Sequence, residues 1–357
     1  MPSANWLIAY LCGIVLVACT NQSAVAPHVQ SESENFRGSA DKMQTLAANS
    51  CPNSVAFIDA PPISVWAEAV PIPPEQKGAA LNGVNIAGLW HLTSNEPNFG
   101  GLSGLAILRS GSLLAVSDAG AFVWIGMENG VPSEEGAIAY MRDENGKVIE
   151  EKSAADAEGL DLTESGLALV SFERDHRVLA FDLEGCGSAA RGVPFADIPN
   201  RPSGLNRSIP SNSGMEALMI NTEGEVIGGL EMSVGRSAVV GSLSPANVRF
   251  DQRLERPSGT RLVGLDTLDN RFFALFRGYS PLTGNRIIVH SYKADAKQAQ
   301  QIVKLEIPFP VDNFEGIAAT PLDAGKTRLY LIADDNFSGS QRTLLLALDV
   351  PADTGQR

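Results

Sequence analysis

Five times along the chain, a residue followed at once by Gly or Ala opens an apolar β-hairpin whose second strand closes on a charged side chain. Ser103-Gly104-Leu105 runs to Asp118, Glu158-Gly159-Leu160 to Glu173, Glu216-Ala217-Leu218 to Glu231, Val263-Gly264-Leu265 to Arg277, and Glu315-Gly316-Ile317 to Asp334. The hairpins span 15, 15, 15, 14 and 19 residues, and their starts lie 55, 58, 47 and 52 residues apart. A repeat near fifty residues is one supersecondary unit, which cannot bury its apolar faces until neighbouring copies stack on it.

Each hairpin is followed by further strand-like runs. RVLAFDL and GVPFADIP follow Glu173, SAVVGSL and NVRFDQRLERP follow Glu231, and RIIVHSY and QIVKLEIP follow Arg277. AFVWIGM and GAIAYMRD follow Asp118. Four strands per unit make a blade, so the expected fold is an all-β propeller of four-stranded blades. Five blades are counted from the repeats, and a sixth built from residues 53–100 stays open. The last unit supplies TLLLALDV as its third strand and then the chain ends, so NGVNIAGLWHLTS, before the first unit, is the expected fourth. Closing the ring with both ends of the chain removes exposed sheet edges. The Gly or Ala after each start fits the innermost strands, where there is little room for a side chain. No helix longer than a turn or two is expected in the mature chain.

Upstream, Trp6–Ala18 is a nearly unbroken apolar run of signal-peptide length, ending in Leu16-Val17-Ala18-Cys19. This resembles the bacterial lipobox, in which the Cys is lipidated and becomes the new N-terminus, although MPSAN ahead of the run has no Lys or Arg. An ordinary signal peptide cut near Ala18, or an uncleaved anchor, is the alternative. Thr20 at the next position leans toward the outer membrane. The expected organisation is a signal peptide over 1–18, lipidated Cys19 with a flexible tether to residue 50, and one propeller domain over 51–352. The protein would be a monomer at the bacterial cell envelope, meeting the membrane through its lipid alone. Cys51 and Cys186 are then either a disulfide, which an oxidising compartment allows, or two thiols. A formal net charge of −14 argues against nucleic acid as a partner.

Hairpin geometry sets the chemistry. The start of an innermost strand and the end of its neighbour lie at one rim, and all units point the same way around one axis. Asp118, Glu158, Glu173, Glu216, Glu231, Glu315, Asp334 and Asp335 should therefore converge on one mouth, with Arg277 from the remaining repeat. At a spacing of about 6 Å and an effective dielectric near 20, each like-charged pair would cost about 2–3 kcal/mol. Protonation, interleaved bases such as Arg277, Arg174 and His176, or a bound divalent cation would relieve this. An all-oxygen donor set suits Ca²⁺. Alternatively, acids at strand ends tie blades together by accepting backbone N–H bonds. Both can hold at once, with the strand-start glutamates structural and the strand-end acids functional. No G-x-S-x-G elbow or H-E-x-x-H pair is present, and Gly325-Lys326-Thr327 lacks the rest of a P-loop.

The units SGLAI…LLAVSD, AEGLDL…LALVSFERDHRV, MEALMI…EVIGGLE and FEGIAA…LYLIADDN resemble the phytase-like propeller family labelled "esterase-like activity of phytase", over about residues 97–350. Asp156-Ala157-Glu158-Gly159 also resembles the D-x-E-G element of calcium-dependent β-propeller phytases, which are six-bladed and hold Ca²⁺ at an acidic channel mouth. The resemblance implies a hydrolase of small phosphoester or other ester substrates. Ca²⁺ would be held by some of Asp118, Glu173, Glu231 and Asp334, with Arg277, Arg174 and His176 on phosphate oxygens and Glu173 at the reacting centre. The alternative is a non-catalytic propeller that binds an envelope protein or glycan.

Overall fold

The computed structural model describes residues 41–76, 81, 83–293 and 299–352. The described residues form twenty-one strands: β1 (Pro62–Ala69), β2 (Asn85–Ser94), β3 (Leu102–Ile107), β4 (Leu113–Ser117), β5 (Ala121–Glu128), β6 (Val131–Tyr140), β7 (Ala157–Leu162), β8 (Ala168–Phe172), β9 (Arg177–Phe181), β10 (Val193–Asp197), β11 (Met215–Ile220), β12 (Val226–Val234), β13 (Ser237–Ser244), β14 (Asn247–Glu255), β15 (Arg261–Leu268), β16 (Arg271–Ser280), β17 (Gly284–Lys293), β18 (Gln300–Glu306), β19 (Phe314–Pro321), β20 (Thr327–Ala333) and β21 (Leu344–Val350). Three four-stranded antiparallel sheets follow chain order, β7 to β10, β11 to β14 and β15 to β18. The remaining nine strands form one sheet in the order β19-β20-β21-β2-β1-β6-β5-β4-β3.

That long sheet is two four-stranded units joined at their outer edges. β3 to β6 make the first unit, and β19 to β21 make the last with β2 as its outer strand, Ile86 opposite Leu348 and Trp90 opposite Leu345. β1 pairs with β2 on one side and β6 on the other. Residues 53–100 therefore build no separate unit among the described residues. The innermost strands β3, β7, β11, β15 and β19 contact one another in a closed cycle, so the described strands make five units around one axis. Five apolar clusters fill the gaps between neighbouring units, the largest joining Val263, Phe273 and Leu275 to Phe314, Leu329 and Leu331. Inner strands such as β4 and β8 are buried along their whole length, whereas outer β14 is mostly exposed, because only the inner strands are covered on both faces.

The small residue after each hairpin start has a measurable reason. A Cβ placed on Gly104 would lie 2.7 Å from the Glu158 carbonyl oxygen, one on Gly264 2.6 Å from that of Glu315, and one on Gly316 2.7 Å from that of Ser103. A Cβ on Gly159 would meet Ser171 Oγ at 2.6 Å, Leu218 Cβ at 2.9 Å and the Glu216 oxygen at 3.0 Å. Gly159→Ala is accordingly expected to lower the denaturant midpoint by an amount equivalent to about 1–3 kcal/mol. Gly339→Ala, in open space, should leave it unchanged. Equal midpoints for the two variants would remove the crowding argument.

The tether expected to reach residue 50 is corrected. Residues 41–50 form a helix, α1, longer than any expected from the sequence. Met43, Leu46 and Ala47 recur at helical spacing, and Leu46 is buried in the cluster between the second and third units. Ser50 Oγ donates to the Arg191 carbonyl at 2.6 Å and accepts from Asp182 N at 2.8 Å. Cys51 and Cys186 are joined as a disulfide, with Cα atoms 5.5 Å apart. The signal segment and Cys19 lie outside the described residues. No helix among the described residues is long and apolar enough to cross a membrane.

Candidate functional site

Every innermost strand carries a β-bulge at the same place. Pairing skips Ser103 between Leu102 and Gly104, Glu216 between Met215 and Ala217, Val263 between Leu262 and Gly264, and Glu315 between Phe314 and Gly316. In β7 the shift takes in Glu158 and Gly159. A bulge breaks the in-out alternation and re-aims the extra side chain. Five equivalent positions thus surround the axis at one rim, occupied by Ser103, Glu158, Glu216, Val263 and Glu315.

Three of the five are buried glutamates, and their surroundings differ. Glu315 accepts from Ser103 Oγ at 3.1 Å, from Asn313 Nδ2 at 3.1 Å and from the Arg277 guanidinium. Burial still lifts its pKa, against the pull of Arg277 and Ser103. Among the described residues no donor reaches the carboxylates of Glu158 or Glu216. Burial pushes Glu158 well above the usual range, reinforced by Glu216, Glu315, Asp156 and Glu173. Burial does the same to Glu216, reinforced by Glu315 and Glu231 and opposed by Arg277.

The strand-end acids are mostly partnered. Glu231 pairs with Arg261 at 2.7 Å and Arg277 at 3.8 Å. Asp334 accepts from Asn336 N at 2.6 Å and Asn313 Nδ2 at 3.2 Å, and its pKa rises to about 8, through burial first and then Glu315. Asp118 pairs with Lys152 at 2.6 Å through one oxygen, while the other is buried without a partner. Asp335 ties the last unit to the first. It accepts from Gly101 N at 2.9 Å, Phe337 N at 3.0 Å and Thr343 Oγ1 at 3.0 Å. Glu158 and Glu216, at strand starts, have no donor among the described residues, whereas Glu315 and each strand-end acid have at least one.

Stapling between units is also found at the opposite rim. There Asp161 on β7 accepts from Ile220 N on β11 at 2.6 Å and Asp266 on β15 from Ala319 N on β19 at 2.5 Å, each bond crossing between neighbouring units. Burial raises both, Asp161 to about 7.

One set of ligands stands out. Single oxygens of Asp156, Glu158 and Glu173 all lie within 4.8 Å of one another, and all three residues are buried. Asp156 precedes β7 in the D-x-E-G stretch, which is the signal that could have found it. Its carboxylate is held by Lys152 at 2.8 Å and Arg174 at 2.5 Å. Glu173 accepts from Gly214 N at 3.2 Å, and burial raises its pKa. Oxygens that share a Ca²⁺ at about 2.3–2.6 Å must lie within about 5 Å of each other, so this donor set fits that ion. Glu216, Glu231, Glu315 and Asp334 form a second arc around Arg277 and Asn313, where a guanidinium and an amide supply the compensation. Arg277 is therefore a neutralising group at the axis before it is anything else.

His176 lies against Gly214 and Glu173: a Cβ on Gly214 would meet its Nδ1 at 2.6 Å and Glu173 Cγ at 3.0 Å. Its Nδ1 is buried without a partner, its Nε2 lies 3.3 Å from the Pro210 carbonyl, and burial lowers its pKa. This geometry packs the ring against the 210–214 loop beside Glu173. Lys152, Asn313 and Arg261 were not expected at the site. They come from connecting loops and a strand edge, outside the repeated pattern.

A family model described as "Phytase-like: Esterase-like activity of phytase" matches residues 97–337. No curated protein matches the sequence significantly. Among solved structures, an aldose sugar dehydrogenase from Streptomyces coelicolor in its PQQ-bound form aligns at 12% identity and a TM-score of 0.39, over 81% of this chain and 100% of that one. A protein of unknown function from Dyadobacter fermentans aligns at 14% identity and 0.39, over 83% and 98%. A glucose dehydrogenase-type oxidoreductase from Thermus thermophilus aligns at 12% and 0.33, over 70% and 98%.

Proposed function

The chain belongs to the phytase-like family described by esterase-like activity of phytase, and from that premise we propose that it hydrolyses phosphoester or other ester substrates at its acidic rim, with Ca²⁺ held by Asp156, Glu158 and Glu173. The observation that carries this reading is Glu158, a buried carboxylate with no donor among the described residues, set beside two further carboxylates within ligand-sharing distance. Leaving a charge buried and unpaired is costly, and a cation removes the cost. When bound, the ion would supply Lewis-acid polarisation of an ester or phosphoryl oxygen.

The chain's own residues do the rest. Lys152 bridges Asp156 and Asp118 and fixes the carboxylate edge of the site. Arg174 spends Nε on Asp156, and its terminal nitrogens have no partner among the described residues, so they are free to fork onto a phosphate at the mouth. His176 keeps the 210–214 loop, and with it the Gly214 N–H, on Glu173. For a phosphomonoester, a water oxygen bonds to phosphorus, the P–O bond to the substituent breaks, and the departing oxygen takes a proton originating from that water.

The test is calcium titration by calorimetry on the full chain, alongside hydrolysis of 4-nitrophenyl phosphate and 4-nitrophenyl acetate. Glu158→Gln and Glu173→Gln are each expected to weaken calcium binding by about tenfold or more, roughly 1.4 kcal/mol, and to lose turnover in parallel. Turnover that survives in both variants, or that ignores chelation, would overturn the calcium assignment. No turnover of either ester would overturn the hydrolase. We further propose attachment to the bacterial envelope through lipid on Cys19, which rests on the Leu16–Cys19 sequence.

A further inference from the structure

We infer that the substrate is a monoester joining one phosphate to an apolar substituent, and that the substituent lies in a cleft beside the axis; this rests on the hydrolase reading above. The cleft has a volume of about 1110 Å³ and opens from the rim, since Glu231 and Arg277 belong to both. Its two sides differ in chemistry.

One side is cationic. Arg261, whose side chain is 57% exposed, spends one nitrogen on Glu231 and keeps the others open to the cleft. Arg256 turns its terminal nitrogens to the carbonyls of Thr260 and Gly235, which leaves Arg261 as the guanidinium with open donors on this side. Arg261 can add its open donors to a phosphate held at the rim, because guanidinium groups bind phosphate by paired donors.

The other side is apolar and exposed. Tyr279, at the end of β16, is 71% exposed, and Ile307, after β18, is 64% exposed. Both line the cleft, Tyr279 from β16 and Ile307 from the segment after β18. Large apolar groups lining a concave site beside a few placed polar groups are the usual make-up of a small-molecule pocket.

The charge count also excludes a substrate of many phosphates. Within the cleft three arginines face two carboxylates, Glu231 and Asp312. Glu158 and Glu216 lie at the axis beyond. Arg261 and Arg277 already pair with Glu231 and Glu315, so little positive charge is left over, and a second phosphate would meet carboxylates.

Calorimetry on the full chain with calcium, using inorganic phosphate, methyl phosphate and phenyl phosphate as probes, tests this. Phenyl phosphate should bind about tenfold more tightly than methyl phosphate. Tyr279→Ser should erase that preference without changing inorganic phosphate binding, and Tyr279→Phe should keep it. Arg261→Ala should weaken all three probes by about tenfold. Both side chains are exposed, so the variants should fold as the parent does. A cyclitol hexaphosphate should bind no more tightly than methyl phosphate. Equal binding of phenyl and methyl phosphate by the parent protein, or a preference untouched by Tyr279→Ser, would overturn the inference. The predicted binding pattern without turnover would uphold the cleft and sink the hydrolase. Turnover of phenyl phosphate indifferent to Tyr279→Ser and Arg261→Ala would do the reverse.

Discussion

In the presence of a chelator, the protein is expected to melt at a higher temperature at about pH 5 than at about pH 8, the reverse of what paired surface carboxylates give. Glu158, Glu216, Glu315, Asp334 and Glu173 at one rim, and Asp161 and Asp266 at the other, all have pKa values raised by burial. In the unfolded chain they titrate near their ordinary values of about 4. Between that point and the raised values, which reach about 7 for Asp161 and about 8 for Asp334, the folded state binds more protons than the unfolded one. Stability therefore falls as pH rises through the window, is lost above the folded-state values, and is fully present below the unfolded ones. Each unit of difference is worth roughly 1.4 kcal/mol, so the group is worth several kcal/mol, or a shift of about 5–10 °C. Calcium at pH 8 should recover part of the loss, because an ion that binds only the folded state stabilises it. Calorimetric melts across the range with and without calcium decide it. A melting temperature that climbs with pH in chelator would show that these carboxylates are not held as described.

Cys51→Ser or Cys186→Ser is expected to cost about 5 kcal/mol, lowering the melting temperature by about 10 °C or more. The bridge joins residues 135 apart, and closing so long a loop in the unfolded chain removes much of its freedom. In the folded protein it pins the segment after α1 to the second unit, beside the Ile58–Gly187 bridge and the Ser50 contacts. Loss should therefore show first as exchange of the α1 amides, ahead of the strands. Melts and hydrogen exchange of the two single variants against the non-reduced parent measure both effects. Equal melting temperatures would mean that the bridge holds nothing the packing of Leu46 does not already hold.

The ring itself was legible because it is periodic. Hairpins that begin on x-Gly or x-Ala at intervals near fifty residues specify both the unit and its crowded inner edge, and the closing role of residues 82–94 follows from a missing strand. The bulges were not legible. A bulge is a property of register between two strands, and register depends on the partner as well as on the strand itself. For that reason Glu158 and Glu216 were expected as possible ties and proved to be the groups without donors. The partners that satisfy the remaining acids, Lys152, Asn313, Arg261 and the Gly101 N–H, come from connections and a strand end that vary between units. Asp156 was visible only as part of D-x-E-G. The α1 helix is a short amphipathic turn of chain inside a polar stretch, and its burial depends on a groove between the second and third units that no local pattern announces.

α1 shares a cavity with Asp161, Asp266 and the turns at residues 163–165 and 221–224, which mark the far ends of the innermost strands. α1 is thus seated at one pole of the ring and the rim that carries Glu158 and Glu216 lies at the other, so substitutions in the two places share no partner and should change stability additively.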